Sequence, residues 1–279
     1  MTGPPIFYSS NPLSIMDSPL ILQNISYRAW HMWRRNIDVS LVTWKTNVIP
    51  PLIEPVLYIL AFGIGLGAYV QKISFDGRAY DYLTFLAPGM VAAGVMFHST
   101  FDTMYGAFVR LRYQKTFDAV ITTPLSAEDI LVGEILSGAT KGVFAGAATL
   151  LIVTLFGLAY YPSSLVILPL SALAGLMFAS FGLLFAATAP YIDNLNLPIF
   201  LFINPMFLFS GTFFPLDGMP ACVKLTANLL PLTHLVNITR AATFGRLNPA
   251  LLWDLLYILV LTAAIACISI RKMKARLIK

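Results

Sequence analysis

Charge is what this chain has least of. Asp, Glu, Lys and Arg make up 11% of its 279 residues, hydrophobic residues 58%, and the mean hydropathy is +0.77. Ordinary soluble domains carry about 25% charged residues. A soluble fold of this length could not cover its surface with so few charges. That excludes a cytosolic enzyme, a nucleic-acid-binding domain and a disordered chain, and leaves a polytopic helical membrane protein. Cysteine is also scarce. Cys222 and Cys267 fall in a loop and in the last apolar span, with no CxxC or zinc spacing, so neither a disulfide nor a metal site is expected. Residues 1–26 lack Lys and Arg, so no cleavable signal peptide is expected there. Pro4, Pro5 and Pro12 suggest a mobile tail over residues 1–22.

Catalytic motifs are missing too. There is no HExxH, and Phe207-Leu208-Phe209-Ser210-Gly211 lacks the first glycine of a Gly-x-Ser-Gly nucleophile, so no catalytic residue is expected. No Gly-x4-Gly-Lys-[Ser/Thr] loop occurs. This chain is therefore expected to bind no cofactor, and any ATP chemistry must come from another chain.

What the sequence does contain is apolar runs. A membrane core of about 30 Å needs about 20 helical residues, and six such runs occur, at roughly 50–70, 83–108, 130–157, 164–189, 196–214 and 250–270. With six spans both termini share one side. That side holds twelve Lys and Arg residues against five on the other, which places both termini in the cytoplasm. Before the first span, Tyr27, Trp30, Trp33, Ile37, Leu41 and Trp44 recur at helical spacing. Three tryptophans on one face, with arginines beside them, suit a helix lying in the headgroup layer; a helix packed on a soluble partner is the alternative. Residues 211–249 are too polar for a span and too apolar for a free loop. With breakers at Gly211, Pro215, Gly218, Pro220 and Pro231, they read as two short helices dipping into the outer leaflet.

The fold class expected is all-α integral membrane: six transmembrane helices, an N-terminal amphipathic interface helix, and a re-entrant outer helical hairpin between helices 5 and 6. Residues 23–270 form one domain, followed by a basic cytoplasmic tail at 271–279.

Ionisable residues inside spans are candidate sites, because burying them in lipid is costly. Glu54 sits among Pro50, Pro51 and Pro55. His98 and Asp102 share a helix face four residues apart, and could bind a proton or a metal, although two ligands alone make a weak metal site, or simply contact another helix. Glu134 and Lys141 lie seven apart, too distant to pair with each other, so each should meet another helix. His234, in the outer segment, has no obvious acidic partner. In the inner loop, Asp118 to Thr122 suits a short helix ended by Pro124, with Phe117, Val120 and Ile121 projecting as an apolar knob. Ser126 and Asp129 should cap the third span.

Several stretches, in this order and spacing, resemble the membrane subunit of type-2 ATP-binding-cassette exporters, and most of all the lipo-oligosaccharide (nodulation-factor) export permeases. They are Trp33-Arg34-Arg35-Asn36, Phe62-Gly63-Ile64-Gly65-Leu66-Gly67, Leu86-Ala87-Pro88-Gly89-Met90-Val91, Phe101-Asp102-Thr103-Met104-Tyr105 with Arg110, Leu131-Val132-Gly133-Glu134, Phe209 through Asp217, and Leu230-Pro231-Leu232-Thr233-His234. The resemblance implies an ATPase-coupling helix at about Lys115–Thr123, here carried by Lys115, Thr116, Phe117, Asp118, Val120 and Ile121. It also implies an outer hairpin marked by Gly211, Pro215, Asp217, Pro231 and His234. The expected partners are two copies of an ATPase subunit carrying ATP and Mg, a second permease subunit in a homodimer, membrane lipid and an amphiphilic cargo. Nucleic acid is not among them. The implied function is export of a lipo-oligosaccharide or related glycolipid across the bacterial inner membrane. Drug or antibiotic efflux is the alternative, and an ion-coupled secondary transporter using His98, Asp102, Glu134 and Lys141 as a relay is a more distant one. Gly63, Gly65 and Gly67 would permit close helix approach.

Overall fold

A computed structural model of the chain describes residues 26–67, 69–70 and 72–277. The tail expected at residues 1–22 lies outside them. Among the described residues, six helical segments are long and apolar enough to cross a membrane: Trp44–Gly63, Tyr82–Arg112, Ala127–Leu155, Ser163–Thr188, Ile192–Phe209 and Leu251–Leu277.

The chain begins with α1 (Ala29–Val42) and turns at Thr43 into α2 (Trp44–Leu60), which loosens into a π-helical turn over Ala61–Leu66. A β-hairpin follows, β1 (Lys72–Phe75) pairing antiparallel with β2 (Arg78–Asp81). Its turn residues Asp76 and Gly77 have φ of 50° and 70°. That left-handed pair is what a two-residue hairpin turn matched to strand twist requires. Then come α3 (Tyr82–Arg112), the six-residue α4 (Thr116–Ile121), α5 (Ala127–Leu155) and α6 (Ile167–Thr188). The fifth span strings α7 (Asn196–Pro198), a π-helical turn (Ile199–Ile203) and α8 (Asn204–Phe209) together. Two short helices, α9 (Ala221–Leu229) and α10 (Pro231–Thr243), precede the long α11 (Leu251–Leu277).

The centre of the bundle is α3, α5 and α6, packed mutually, with α11 against α6. Small residues let these axes close up. A Cβ on Gly138 of α5 would lie 1.9 Å from Thr103 Oγ1 of α3, so no larger residue fits without moving the helices apart. Of the first-span glycines only Gly63 meets another helix, a Cβ there lying 3.2 Å from Leu83 Cδ1 of α3; nothing lies within 4 Å of a Cβ built on Gly65, and the nearest neighbour for Gly67 is the Gly63 carbonyl of its own helix. A close approach of backbones is made by α5 and α6, where a Cβ on Gly175 would come 3.0 Å from Ala139 Cα.

α5 starts where its sequence says it should. Ser126 and Asp129 form a reciprocal capping box, the Ser126 hydroxyl accepting from Asp129 N at 3.0 Å. α1 lies along α5. Ser26 N donates to Asp129 Oδ1 at 2.7 Å, and Trp33 Nε1 to Thr140 Oγ1 at 2.9 Å. Between them Met32 seats against Gly133, where a Cβ would come within 2.6 Å of the Met32 Cβ. The stripe that α1 buries is Ala29, Met32 and Asn36. Of the face expected to lie in the headgroup layer, Tyr27, Trp30, Leu41 and Trp44 stay exposed, whereas Trp33 and Ile37 are partly buried.

Candidate functional site

Three polar constructions interrupt the apolar bundle. The first is a cleft of about 630 Å³ between the α1–α2 elbow, α3, α5 and α8. Its walls are aromatic, with Trp44, Tyr58, Phe97, Phe101 and Phe144. Four of the five intramembrane ionisable candidates converge on it. His98 Nε2 of α3 lies 3.3 Å from Glu54 Oε2 of α2, and Lys141 of α5 forms an ion pair with Asp102 of α3. His98 and Asp102, neighbours on one helix face, thus each reach a different helix. Lys141 Nζ also donates to Asn47 Oδ1 at 3.2 Å. The Asn47 amide in turn donates to Ser40 O at 2.9 Å and Thr43 O at 3.0 Å, clamping the elbow. One hydrogen-bonded line therefore runs from the elbow through α5 to α3.

The fifth candidate, Glu134, stands apart. Its side chain is fully buried, ion-paired to Arg110 of α3, and accepts from Asn36 Nδ2 of α1 at 3.0 Å. A buried carboxylate is tolerable only when paired and hydrogen-bonded in this way. It knots α1, α3 and α5 and does not reach the cleft, so the four residues proposed as a relay are not one chain.

The second construction surrounds α4. The sequence expectation of an apolar knob made by Phe117, Val120 and Ile121 needs correcting. Phe117 is completely buried, in one cluster with Phe108 of α3, Leu131 of α5, Leu183 of α6 and Met273 of α11, and Val120 packs partly against the same cluster. Only Ile121, at 40% exposure, remains outward among the three. A six-residue helix has one core-facing side, and the largest apolar residue takes it. Lys115 enters the helix at φ 53° and lies 3.6 Å from Asp118, both exposed. Beside α4 is an open cavity of about 880 Å³ where Arg112, Lys115, Lys272 and Arg276 gather with Asp118. The end of the protein that carries α4 is thus strongly basic. Lys274 on α11 is tied to Glu128 on α5 at 2.5 Å.

The third construction is at the opposite end. α9 and α10 form the pair of short helices expected between the last two spans. Gly211 turns the chain at φ 77°, Pro215 continues it in extended conformation, Asp217 lies exposed in a 3₁₀ turn, and Pro231 opens α10. His234 does have an acidic partner, contrary to the sequence reading. Its Nδ1 is 2.5 Å from Asp254 of α11, its Nε2 is 2.9 Å from Asn228 O of α9, and its ring stacks on Tyr257 at 4.0 Å. Arg240 of α10 is buried with its guanidinium 3.9 Å from the Phe85 ring centroid and 5.1 Å from that of Phe75 in β1. Burial lowers its pKa from the usual value to about 9, which leaves it charged at neutral pH. Sequence reasoning counted Arg240 only as a loop cation. Its place five residues before Gly245 carried no signal, whereas the missed hairpin had one in Asp76-Gly77.

These geometries meet a known family. The ABC-2 type transporter family matches residues 27–244 of the sequence. The chain belongs to the ABC-2 type transporter family. It is 36% identical over 219 residues to Nodulation protein J of Sinorhizobium fredii, covering 77% of this chain and 80% of that protein. It is 36% identical over 233 residues to Nodulation protein J of Rhizobium leguminosarum bv. trifolii, covering 82% and 86%. A more distant relative is the inner membrane transport permease YadH of Escherichia coli, 23% identical over 215 residues, covering 77% and 82%. The ABC-2 chain is thus a multi-pass membrane permease, a transport subunit and not an enzyme, and its family implies an ABC ATPase as partner.

Proposed function

We propose that this chain is the membrane-spanning subunit of an ATP-driven exporter that moves an amphiphile, a lipo-oligosaccharide or related glycolipid, out across the bacterial inner membrane. The observation that carries the reading is the seat of Phe117. Because α4 is pinned through it into the core shared by α3, α5, α6 and α11, a displacement of α4 is passed to four spans as a body, since packed interiors deform little. The outward side of α4, with Lys115, Thr116, Asp118 and Ile121, is the surface on which a separate ATPase subunit docks. Two ATPase copies, carrying ATP and Mg, would act on two permease copies. The basic residues around α4 support a cytoplasmic position for that end and for both termini.

The aromatic cleft is the entry site for cargo. Acyl chains suit its rings, and Glu54, Asp102 and Asn47 offer acceptors to sugar hydroxyls. The similarity to proteins named Nodulation protein J favours a lipo-oligosaccharide. α9 and α10 close the opposite end as a hairpin re-entering the outer leaflet.

The test is reconstitution of the permease with its ATPase in vesicles, measuring ATP hydrolysis against a lipid-linked oligosaccharide and a panel of hydrophobic drugs. Stimulation by the glycolipid supports the reading; stimulation by drugs alone makes this a drug exporter; cargo movement without the ATPase overturns it.

A further inference from the structure

Arg240 is a buried cation without a counter-ion. It is 3% exposed, and no carboxylate lies within ion-pair distance of it among the described residues. Glu134, Asp102, Lys141 and Glu128 by contrast each have an opposite charge against them. Arg240 has two aromatic rings, one hydrogen bond from Nη2 to Gly211 O at 2.9 Å, and an Nε with no acceptor at all. Stripping a guanidinium of water is costly unless charge and hydrogen bonds are returned to it. Rings and one carbonyl return only part.

The guanidinium lines a cavity of about 220 Å³ between the chain at Gly211, α9 and α10. Lys224 of α9 lines the same cavity and has no ion-pair partner among the described residues. The side-chain amides of Asn228 and Asn237 are available beside it. One carboxylate, Asp217, is present, but it sits exposed at the rim. Two cations, two amides and a polar concavity form a receptor for an anion with several acceptor oxygens, because a guanidinium fork and an ammonium together match tetrahedral oxyanions.

We propose that this cavity binds a phosphate-type oxyanion at the end of the permease that carries the β-hairpin. The group is either a free anion or the headgroup of an anionic phospholipid; both present the same oxygens to Arg240 and Lys224. The site goes beyond the export reading and does not depend on it, since it lies at the other end from α4 and apart from the aromatic cleft.

The experiment uses the full chain. In detergent, inorganic phosphate is titrated calorimetrically. In nanodiscs, retention of phosphatidylglycerol over phosphatidylcholine is read by native mass spectrometry. Arg240 also holds the Gly211 turn, so Arg240→Gln risks misfolding, and the rim residues carry the test. Lys224→Gln should weaken binding about tenfold or more. Asp217→Asn should strengthen it several-fold, and both variants should keep the parent melting temperature. Phosphate binding with these opposite responses identifies a free-anion site; selective phosphatidylglycerol retention with the same responses identifies a lipid headgroup site. Absence of both, or binding indifferent to Lys224→Gln and Asp217→Asn, overturns the proposal.

Discussion

Arg110 of α3 and Glu134 of α5 form an ion pair in which the carboxylate is wholly screened from solvent, with Asn36 of α1 as its third partner. Removing one member strands a buried charge, whereas removing both exchanges a costly pair for apolar packing. Arg110→Met should therefore destabilise the protein by about 3–5 kcal/mol, and Arg110→Met with Glu134→Met should recover most of that loss. Thermal or denaturant unfolding in detergent, run as a double-mutant cycle, measures the recovery.

The two sides of α4 should separate in experiment. Phe117→Ala removes a fully buried ring, and should cost about 3–5 kcal/mol of stability. Ile121→Asp, on the outward side, should leave the melting temperature unchanged while reducing ATPase co-purification and transport. Co-purification unaffected by Ile121→Asp and by charge reversal at Lys115 would count against the docking surface.

In the cleft, Lys141→Met leaves Asp102 unpaired and releases Asn47, and with it the clamp on the α1–α2 elbow. Cargo-stimulated ATP hydrolysis should fall about tenfold or more, with the ATPase still bound. Basal hydrolysis in the absence of cargo is the control.

The Ser126 cap has a local signature. Ser126→Ala should cost about 1 kcal/mol, and Ser126→Asp should restore it, because aspartate caps equally well. Hydrogen exchange at the start of α5 reads the difference.

His234 faces two acceptors, Asp254 and Asn228 O. Only the doubly protonated ring donates to both. His234→Phe keeps the stack on Tyr257 but loses both bonds, and should loosen α9 selectively. Faster hydrogen exchange in α9 and α10, with α3 and α5 unchanged, is the expected result.

The spans were legible because twenty apolar residues have few other uses, and the observed ends differ from the expected ones by only a few residues at most boundaries. The α5 cap was legible because Ser126 and Asp129 act locally. The direction of Phe117 was not. Six residues are too few for a periodicity, and which side faces inward depends on where α3, α6 and α11 meet. The partners of Glu54, Glu134, Lys141 and His234 depend on helix crossings between residues 20 to 98 positions apart, which spacing along one helix does not encode. The β-hairpin has a local signal only in its turn, Asp76-Gly77, because strands of four residues are too short to show a clear alternation.

The two π-helical turns, at Ala61–Leu66 and Ile199–Ile203, fall in the two spans that flank the aromatic cleft and bury little of themselves against the bundle. A wider turn takes up an extra residue, so the row of side chains beyond it is rotated about the axis relative to the row before it. The turn at Ala61–Leu66 closes the first span, whereas the turn at Ile199–Ile203 lies in the middle of the fifth, which can consequently offer one row to its own bundle along half its length and a different row to a neighbour along the other half. A lesion that deletes one residue inside Ile199–Ile203 would realign the two rows, and should uncouple what one half touches from what the other holds.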